Sequence, residues 1–200
     1  MTLEQIKQEL GYFAPGVCKL NPGAMPNQIA RAEALLGLVF PQTFCGILSE
    51  FNGGTFVNEP LLGVPPVATA LDLVRETRQA RTYWGPLGWA REFVEVGADG
   101  VGNPFVLLLD RRDERDESPV GLFDAGAMQI SEIVASDYLH FVWFIIQDVK
   151  WYHGPDGKPI AREPVVWTKH QVTVRPSALS PWRFNEAWMI ANDPGLARWR

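Results

Sequence analysis

Two strand-like runs separated by a dense turn signal constrain the fold of this chain more than any other stretch. The runs cover residues 92–97 and 105–109, and the segment between them contains Asp99, Gly100, Gly102 and Asn103. Gly, Asn and Asp favour tight turns because they tolerate positive φ angles. Residues 93–110 are therefore predicted to form a β-hairpin.

The second arm of this hairpin is predicted to be a central strand. Residues Phe105–Leu109 are all apolar, which is typical of a strand that is buried on both faces. The charged run that follows, Asp110–Ser118, predicts a solvated loop. Residues 119–124 resume strand character, and Ile130, Ile133 and Val134 indicate one more short segment.

Five helical patterns flank the hairpin, four before it and one after it. In each, apolar residues recur at spacings of three and four, so that one face can pack on a core. The predicted starts are the capping or first-turn residues Thr2, Asn27, Pro41 and Ser136, together with a less sharply defined start near Val67.

The second and third helices carry signals at their far ends. The apolar stripe of the second helix is predicted to be Ile29, Ala32, Leu35 and Leu36, and Gly37 ends it. The third helix is predicted to end in Phe51–Gly54, where consecutive glycines allow a close approach to neighbouring backbone. Residues 13–26, which are rich in Pro and Gly, are predicted to be a loop.

The composition changes after residue 150. Five of the eight tryptophans lie in residues 151–200, together with six prolines. Fifty residues rarely fold alone without a disulfide or metal. We therefore predict one α+β domain over residues 1–150, and a C-terminal extension over residues 151–200 that packs on it or, as a homodimer, on a second copy. Within the extension, residues 165–174 indicate an extended hairpin and Pro181–Asn192 a last helix.

The charge distribution bears on partners. The net charge is −5, but residues 1–150 have an excess of eight acidic side chains and residues 151–200 an excess of three basic ones. An acidic body repels nucleic acid and attracts basic partners, although mild acidity also simply aids solubility. No signal peptide or long apolar run is present, and two cysteines do not make a disulfide framework, so a cytoplasmic setting without membrane contact is expected.

Cofactor and metal sites are weakly indicated. The glycine turn lacks the third Gly and the helix of a dinucleotide fingerprint, and as a calcium loop it has Val101 at a ligand position and Pro104 in place of the required Gly. Cys45 is expected to be a packing residue, and Cys18, His140, His153 and His170 have no zinc-type spacing. We therefore expect no cofactor, no metal and no catalytic residue.

Four residues are candidates for binding a protein partner. Trp84 and Trp89 lie in one Gly- and Pro-rich stretch, where they would form either an exposed aromatic anchor or a cap on the core. Asn52 and Asn103 lie beside glycines, where a ligand can approach, although turn residues commonly bond their own backbone.

A series of short motifs resembles the SUKH superfamily, which includes the fungal cell-wall assembly regulator domain and bacterial immunity proteins. The resemblance covers residues 24–148 and is carried by Glu33–Gly37, Phe40–Pro41, Phe51–Gly54, Leu61–Gly63, Phe93–Gly97, Asp99–Gly100, Gly102–Asn103, Pro119–Val120 and Ala135–Tyr138. It implies an α+β fold with a mostly antiparallel sheet of about six strands and helices on one side. Pro104 and the long extension depart from the family pattern.

The resemblance also sets the functional hypotheses. Members of the family have no accepted catalytic apparatus and are thought to bind other proteins. The leading hypothesis is a non-enzymatic immunity protein that neutralises a toxin, with a basic toxin domain as the partner. The alternatives are a regulatory or scaffold protein of the cell-wall regulator type, and a small-molecule-binding domain with a pocket between the sheet and the Trp-rich extension.

Overall fold

The computed structural model describes residues 1–160, 165–168, 171–174 and 179–200, and the strands within 165–174 are described by their backbone. The helices are α1 (Leu3–Leu10), α2 (Pro26–Leu36), α3 (Gln42–Glu50), α4 (Leu73–Trp84), α5 (Tyr138–Tyr152) and α6 (Glu186–Asn192). The strands are β1 (Cys18–Pro22), β2 (Phe51–Phe56), β3 (Glu59–Leu61), β4 (Phe93–Ala98), β5 (Pro104–Leu108), β6 (Val120–Asp124), β7 (Gln129–Ala135), β8 (Val165–Thr168) and β9 (Gln171–Val174).

Strands β1 to β7 form one antiparallel sheet in which the strand order equals the chain order. Each strand therefore pairs with the next one along the chain, through turns or longer connections. Strands β8 and β9 form a separate antiparallel pair. The predicted α+β class with a mostly antiparallel sheet is confirmed, with seven strands where about six were expected.

The hairpin that dominates the sequence is present as β4 and β5. Phe93 lies opposite Leu108 and Gly97 opposite Phe105, and the register shifts between Glu95 and Gly97. Strand β5 lies between β4 and β6, and all of its residues are buried. The prediction of a central strand is confirmed.

Two strands formed where the sequence was interpreted differently. Residues 13–26 were expected to be a loop but contain β1, and Phe51–Gly54 was expected to end a helix but begins β2. A Cβ on Gly54 would lie 2.3 Å from the carbonyl oxygen of Lys19, and one on Gly53 would lie 2.6 Å from the amide nitrogen of Gly63. The glycines thus permit close approach of backbone, as predicted, but within a sheet.

Two predicted helix caps are wrong by one or two residues. The N-cap of α2 is Met25 rather than Asn27, because Pro26 occupies the first helical position and the Gln28 side chain accepts the Met25 amide at 2.7 Å. The N-cap of α5 is Asp137 rather than Ser136: its carboxylate accepts the His140 amide at 3.0 Å.

The fourth helix starts later than the apolar pattern indicated. The segment Thr69–Leu71 forms a short 3-10 turn, and α4 begins at Leu73 with Asp72 as its N-cap. The Asp72 side chain accepts the amide of Arg75 at 3.0 Å. An aspartate that bonds the first turn is a stronger start signal than the apolar spacing on which the earlier start depended.

Both faces of the central sheet are covered. Phe105 of β5 contacts Phe141 of α5, with ring centroids 5.1 Å apart, and Trp182 of the extension, at 5.5 Å. Phe123 of β6 points to the opposite face, where it contacts Trp84 and Trp89 at 5.6 and 5.0 Å. The part of the extension around Trp182 therefore packs on the domain, as expected.

The charged segment Asp110–Ser118 is only partly the solvated loop that was predicted. Glu117 is buried and its carboxylate accepts hydrogen bonds from the amide, at 3.1 Å, and the hydroxyl of Thr43 in α3. The Asp113 carboxylate accepts the amides of Arg115 and Glu117 at 2.8 and 3.0 Å. Charges in this run thus hold the loop against the core, while Glu114 and Asp116 remain exposed.

Candidate functional site

A groove of about 650 Å³ lies between α2 and α4. Helix α2 contributes Arg31 and Leu35, which are one turn apart, and α4 contributes Arg75 and Arg78 from one face. The segment Pro65–Pro66 between β3 and α4 closes it. The volume is within the range of roughly 300–1,000 Å³ that is typical of binding pockets.

The floor of the groove is apolar. Ala32 and Val74 are buried beneath it, and Leu35 remains 40% exposed. The sequence interpretation placed Leu35 in the core stripe with Ile29, which is wrong: Leu35 follows Ile29 by six residues and is rotated from it by about 120° around the helix. An exposed leucine in a concave surface favours an apolar contact from outside.

The arginines of the groove have different local roles. Arg78 donates from Nη2 to the carbonyl oxygen of Leu35 at 2.9 Å, and Arg81 donates from Nη1 to that of Leu36 at 2.9 Å. The last carbonyls of a helix have no intrahelical partner and carry partial negative charge. Arg78 and Arg81 therefore stabilise the C-terminus of α2, which has no basic residue in its own last turn.

Arg31 and Arg75 are left to give the groove its charge. Arg31 is exposed and makes no hydrogen bond or ion pair with any residue that the structure describes. Arg75 uses Nη1 for the Thr69 carbonyl oxygen, at 3.0 Å, and for Glu76 Oε1, at 3.2 Å. Asp72 is the one carboxylate among the described residues that line the groove.

The surroundings of the groove are also basic. The pKa of Arg81 is lowered by burial and then by the neighbouring charges of Arg91 and Arg78, with Glu92 acting in the opposite sense. The groove lining itself has three arginines against one carboxylate among the described residues, on a chain of net charge −5. The described lining contains no Ser, Cys or His, and its chemistry is that of recognition.

Trp89 is not the exposed aromatic anchor that was one of its two predicted roles. It is 3% exposed and contacts Phe93 and Phe123, with ring centroids 5.9 and 5.0 Å apart. Trp84, the last residue of α4 rather than a loop residue, is partly buried and contacts the same Phe123. The two tryptophans cap the core, which was the other predicted role.

Neither Asn52 nor Asn103 lines the groove, and the side chains of both bond backbone. Asn52 is 4% exposed; its Nδ2 donates to the Val64 carbonyl at 2.7 Å, and its Oδ1 accepts the Val64 amide at 2.7 Å. Asn103 donates to Asp99 Oδ2 at 2.9 Å and accepts the Ala125 amide at 3.2 Å. These hydrogen bonds show that both side chains stabilise the local structure. A binding role for them stays a prediction.

A buried polar cluster joins the extension to the start of α5. Asp193 accepts the Ser136 amide at 2.7 Å and the Ser136 hydroxyl at 2.5 Å, and Asp137 is 2.8 Å from His140 Nδ1. Burial acts to raise the pKa of Asp137, but the hydrogen bond and charge of His140 outweigh it and lower that pKa. Because the Ser136 hydroxyl is buried and donates to a carboxyl rather than to His140, the arrangement is a structural link and not a catalytic triad.

The other chemically reactive candidates are also accounted for. Cys45 is partly buried and packs on the core, and burial, followed by the charges of Glu33 and Glu117, raises the pKa of its thiol to about 11. A thiol with so high a pKa is a poor nucleophile at neutral pH. No group of three or more metal-ligating side chains occurs in the described ranges, and His170 lies outside them.

Glu95 was not singled out by the sequence, but its carboxyl is unusual. The side chain is partly buried on β4, and its carboxyl group makes no hydrogen bond or ion pair within the described part of the chain. Burial, followed by the charge of Glu76, raises its pKa to about 7. The folded state therefore holds the proton more tightly than the unfolded chain, and this contribution to stability is complete below pH ~4.5 and is lost as the pH rises through about 7.

The replacement Glu95→Gln is expected to remove this pH dependence. At pH ~8 the variant should be about 3 kcal/mol more stable than the parent protein, because it does not bury a carboxylate, whereas at pH ~4 the two should be alike. Urea unfolding at the two pH values measures the difference. Glu92→Gln, at an exposed position of the same segment, is the control; a gain for Glu95→Gln that is equal at both pH values would contradict the assignment.

The chain is an α+β protein with a seven-stranded antiparallel sheet and a groove that is lined by arginines and has an apolar floor. No model of a known protein family matches the chain, and no curated protein is significantly similar to it. The SUKH resemblance therefore stays a prediction. Among the described residues, no helix has the length and apolar character needed to cross a membrane.

Proposed function

We propose that this protein is a non-enzymatic, cytoplasmic protein-binding module that contacts its partner through the groove between α2 and α4. The observation that carries the proposal is the combination of an apolar floor, including the exposed Leu35, with the guanidinium of Arg31, which has no ion-pair partner among the described residues. Apolar contacts at the centre and Arg at specific positions are characteristic of protein interfaces. The free thiols of Cys18 and Cys45 fit a reducing compartment.

The SUKH resemblance supports one form of this proposal, an immunity protein that neutralises a toxin by direct binding. The acidic net charge supports it further, since it would steer the protein toward a basic toxin domain over long range. A regulatory or scaffold protein of the cell-wall regulator type is the second form. The two differ in the partner, which is a toxin in the first and an endogenous signalling protein in the second.

A small-molecule site between the sheet and the extension has less support. Trp182 is buried there and stacks on Phe105 and Phe144, with centroid distances of 5.5 and 6.2 Å. Its indole Nε1 donates to the Val134 carbonyl oxygen at 3.3 Å. In the described residues, this side chain fills the space in which such a ligand would lie.

Co-expression with the products of the adjacent genes tests the proposal. We expect one of them to form a stoichiometric complex, detected by size-exclusion chromatography with light scattering, and we expect Arg31→Glu combined with Leu35→Ser to weaken it. Lys158→Glu is the matched control, because Lys158 is exposed and does not line the groove. If neither these products nor a pull-down from the native host yields a specific partner, the proposal fails; the same chromatography tests the homodimer expected through the extension.

A further inference from the structure

We propose that the groove between α2 and α4 accepts a short acidic segment of a protein partner, in which carboxylates stand beside apolar side chains. The inference rests on the proposed function, because it names the chemistry of what the interface binds. An acidic segment in the groove is compatible with a partner domain that is basic as a whole. The net charge of the protein governs the long-range encounter, whereas the groove governs the direct contact.

The two walls of the groove, α2 and α4, both carry arginines. Arg31 stands on α2 with no partner among the described residues, and Arg75 stands on α4 with only Nη1 engaged. A guanidinium presents several N–H donors in a plane, which match a carboxylate in two parallel hydrogen bonds. Two arginines on opposite walls can therefore bind acidic side chains, while a basic segment would be repelled by Arg31, Arg75 and Arg78 together.

The floor between the arginines is apolar. Leu35 follows Arg31 by one helical turn and remains 40% exposed, beside Ala32 and Pro65–Pro66. A small anion would neutralise the arginines but would leave Leu35 in water. A segment that also carries an apolar side chain would cover Leu35 and desolvate the ion pairs, which strengthens them.

The length of α2 sets the size of the site. Helix α2 has 11 residues and is about 16 Å long at the usual rise. An extended peptide covers that length with about five residues. The groove thus fits a short linear segment, and the rest of a partner would have to make its contacts outside the groove.

Peptide display on the full-length protein tests the inference. Random peptides of about ten residues, twice the length of the groove, should be enriched in Asp and Glu next to large apolar residues. A synthetic copy of an enriched peptide should bind the double variant Arg31→Glu, Arg75→Glu about tenfold more weakly, and should also bind less at high salt. Leu35→Ser should weaken binding as well, while Lys158→Glu should not.

Three outcomes would overturn the inference: no enrichment, enrichment of basic or uncharged peptides, or equal binding by the charge-reversed variant. If inorganic phosphate displaces the peptide and Leu35→Ser binds the peptide as well as the parent protein does, the groove is a site for small anions, and the inference is also overturned. Circular dichroism and unfolding of each variant exclude loss of fold as the cause. If acidic peptides fail while an adjacent-gene product still binds, the inference falls and the proposed function stands. If acidic peptides bind but no protein partner exists, the proposed function falls, and only the preference of the groove for acidic, apolar segments remains.

Discussion

Replacement of Asn52 by alanine is expected to lower the free energy of unfolding by about 4 kcal/mol. The Asn52 side chain bonds both the amide and the carbonyl of Val64, each at 2.7 Å, and both residues are buried. Alanine would leave two buried backbone groups without partners, at about 2 kcal/mol each. Urea unfolding followed by tryptophan fluorescence measures the loss.

The matched control for this variant is Asn27→Ala. Asn27 lies exposed in the first turn of α2, where alanine is well tolerated, so we expect a change within about 0.5 kcal/mol. A loss below about 1 kcal/mol for Asn52→Ala would show that Val64 finds other partners, and it would return Asn52 to the set of candidate binding residues.

Replacement of Asp193 by alanine should destabilise the protein by about 3 kcal/mol. Asp193 is buried in the extension and accepts both the amide and the hydroxyl of Ser136, at 2.7 and 2.5 Å, just before α5 begins. The substitution would remove two buried hydrogen bonds and strand the Ser136 amide. The effect is expected to be smaller than for Asn52, because the freed Ser136 hydroxyl can rotate toward another acceptor.

A double-mutant cycle with Ser136→Ala isolates this link. If Asp193 and Ser136 act together, the double variant should lose little more than Asp193→Ala alone, and the coupling should be about 1 kcal/mol or more. Asp110→Ala, at an exposed carboxylate, is the control and should be nearly neutral. Additive losses would mean that Asp193 stabilises the extension through other contacts.

The variants Asn52→Ala and Asp193→Ala would also distinguish residues that stabilise the fold from residues that bind a partner. Asn52 clamps the start of β2 to the segment after β3, and Asp193 holds the extension to the domain. Loss of partner binding in either variant would follow from loss of fold. In contrast, Arg31 makes no hydrogen bond or ion pair with described residues, so its replacement should change binding with little change in stability.

Much of the fold could be predicted from local sequence. The hairpin of β4 and β5 follows from alternating and continuous apolar runs around an Asp, Gly and Asn turn, and the Asp99 carboxylate accepts the amides of Val101 and Asn103 at 3.0 Å each. Thr2 caps α1 as predicted, and it forms a capping box with Gln5. Such features depend on residues a few positions apart, whose chemistry is visible in the sequence.

The helix starts of α2, α4 and α5 were placed wrongly although their caps are local features, but the larger errors occurred where distant residues decided the outcome. The segment Cys18–Pro22 is a strand only because β2 pairs with it, and Gly53 and Gly54 fit a strand only because other backbone passes within contact distance. Glu117 lies in a charged run that is typical of a solvated loop, but Thr43 supplies partners that allow its burial. Burial and pairing are properties of the neighbourhood, not of the residue alone.

The sequence by itself determined the class of the fold, the central hairpin and most helices of this protein, because periodicity and turn chemistry act over short distances. The candidate site was decided by the tertiary structure. Arg31 and Arg75 are 44 positions apart in the chain, and nothing in either helix indicates that α2 and α4 lie side by side. Only the packing of the helices leaves Leu35 exposed between the arginines, and the same packing commits Arg78 and Arg81 to the end of α2.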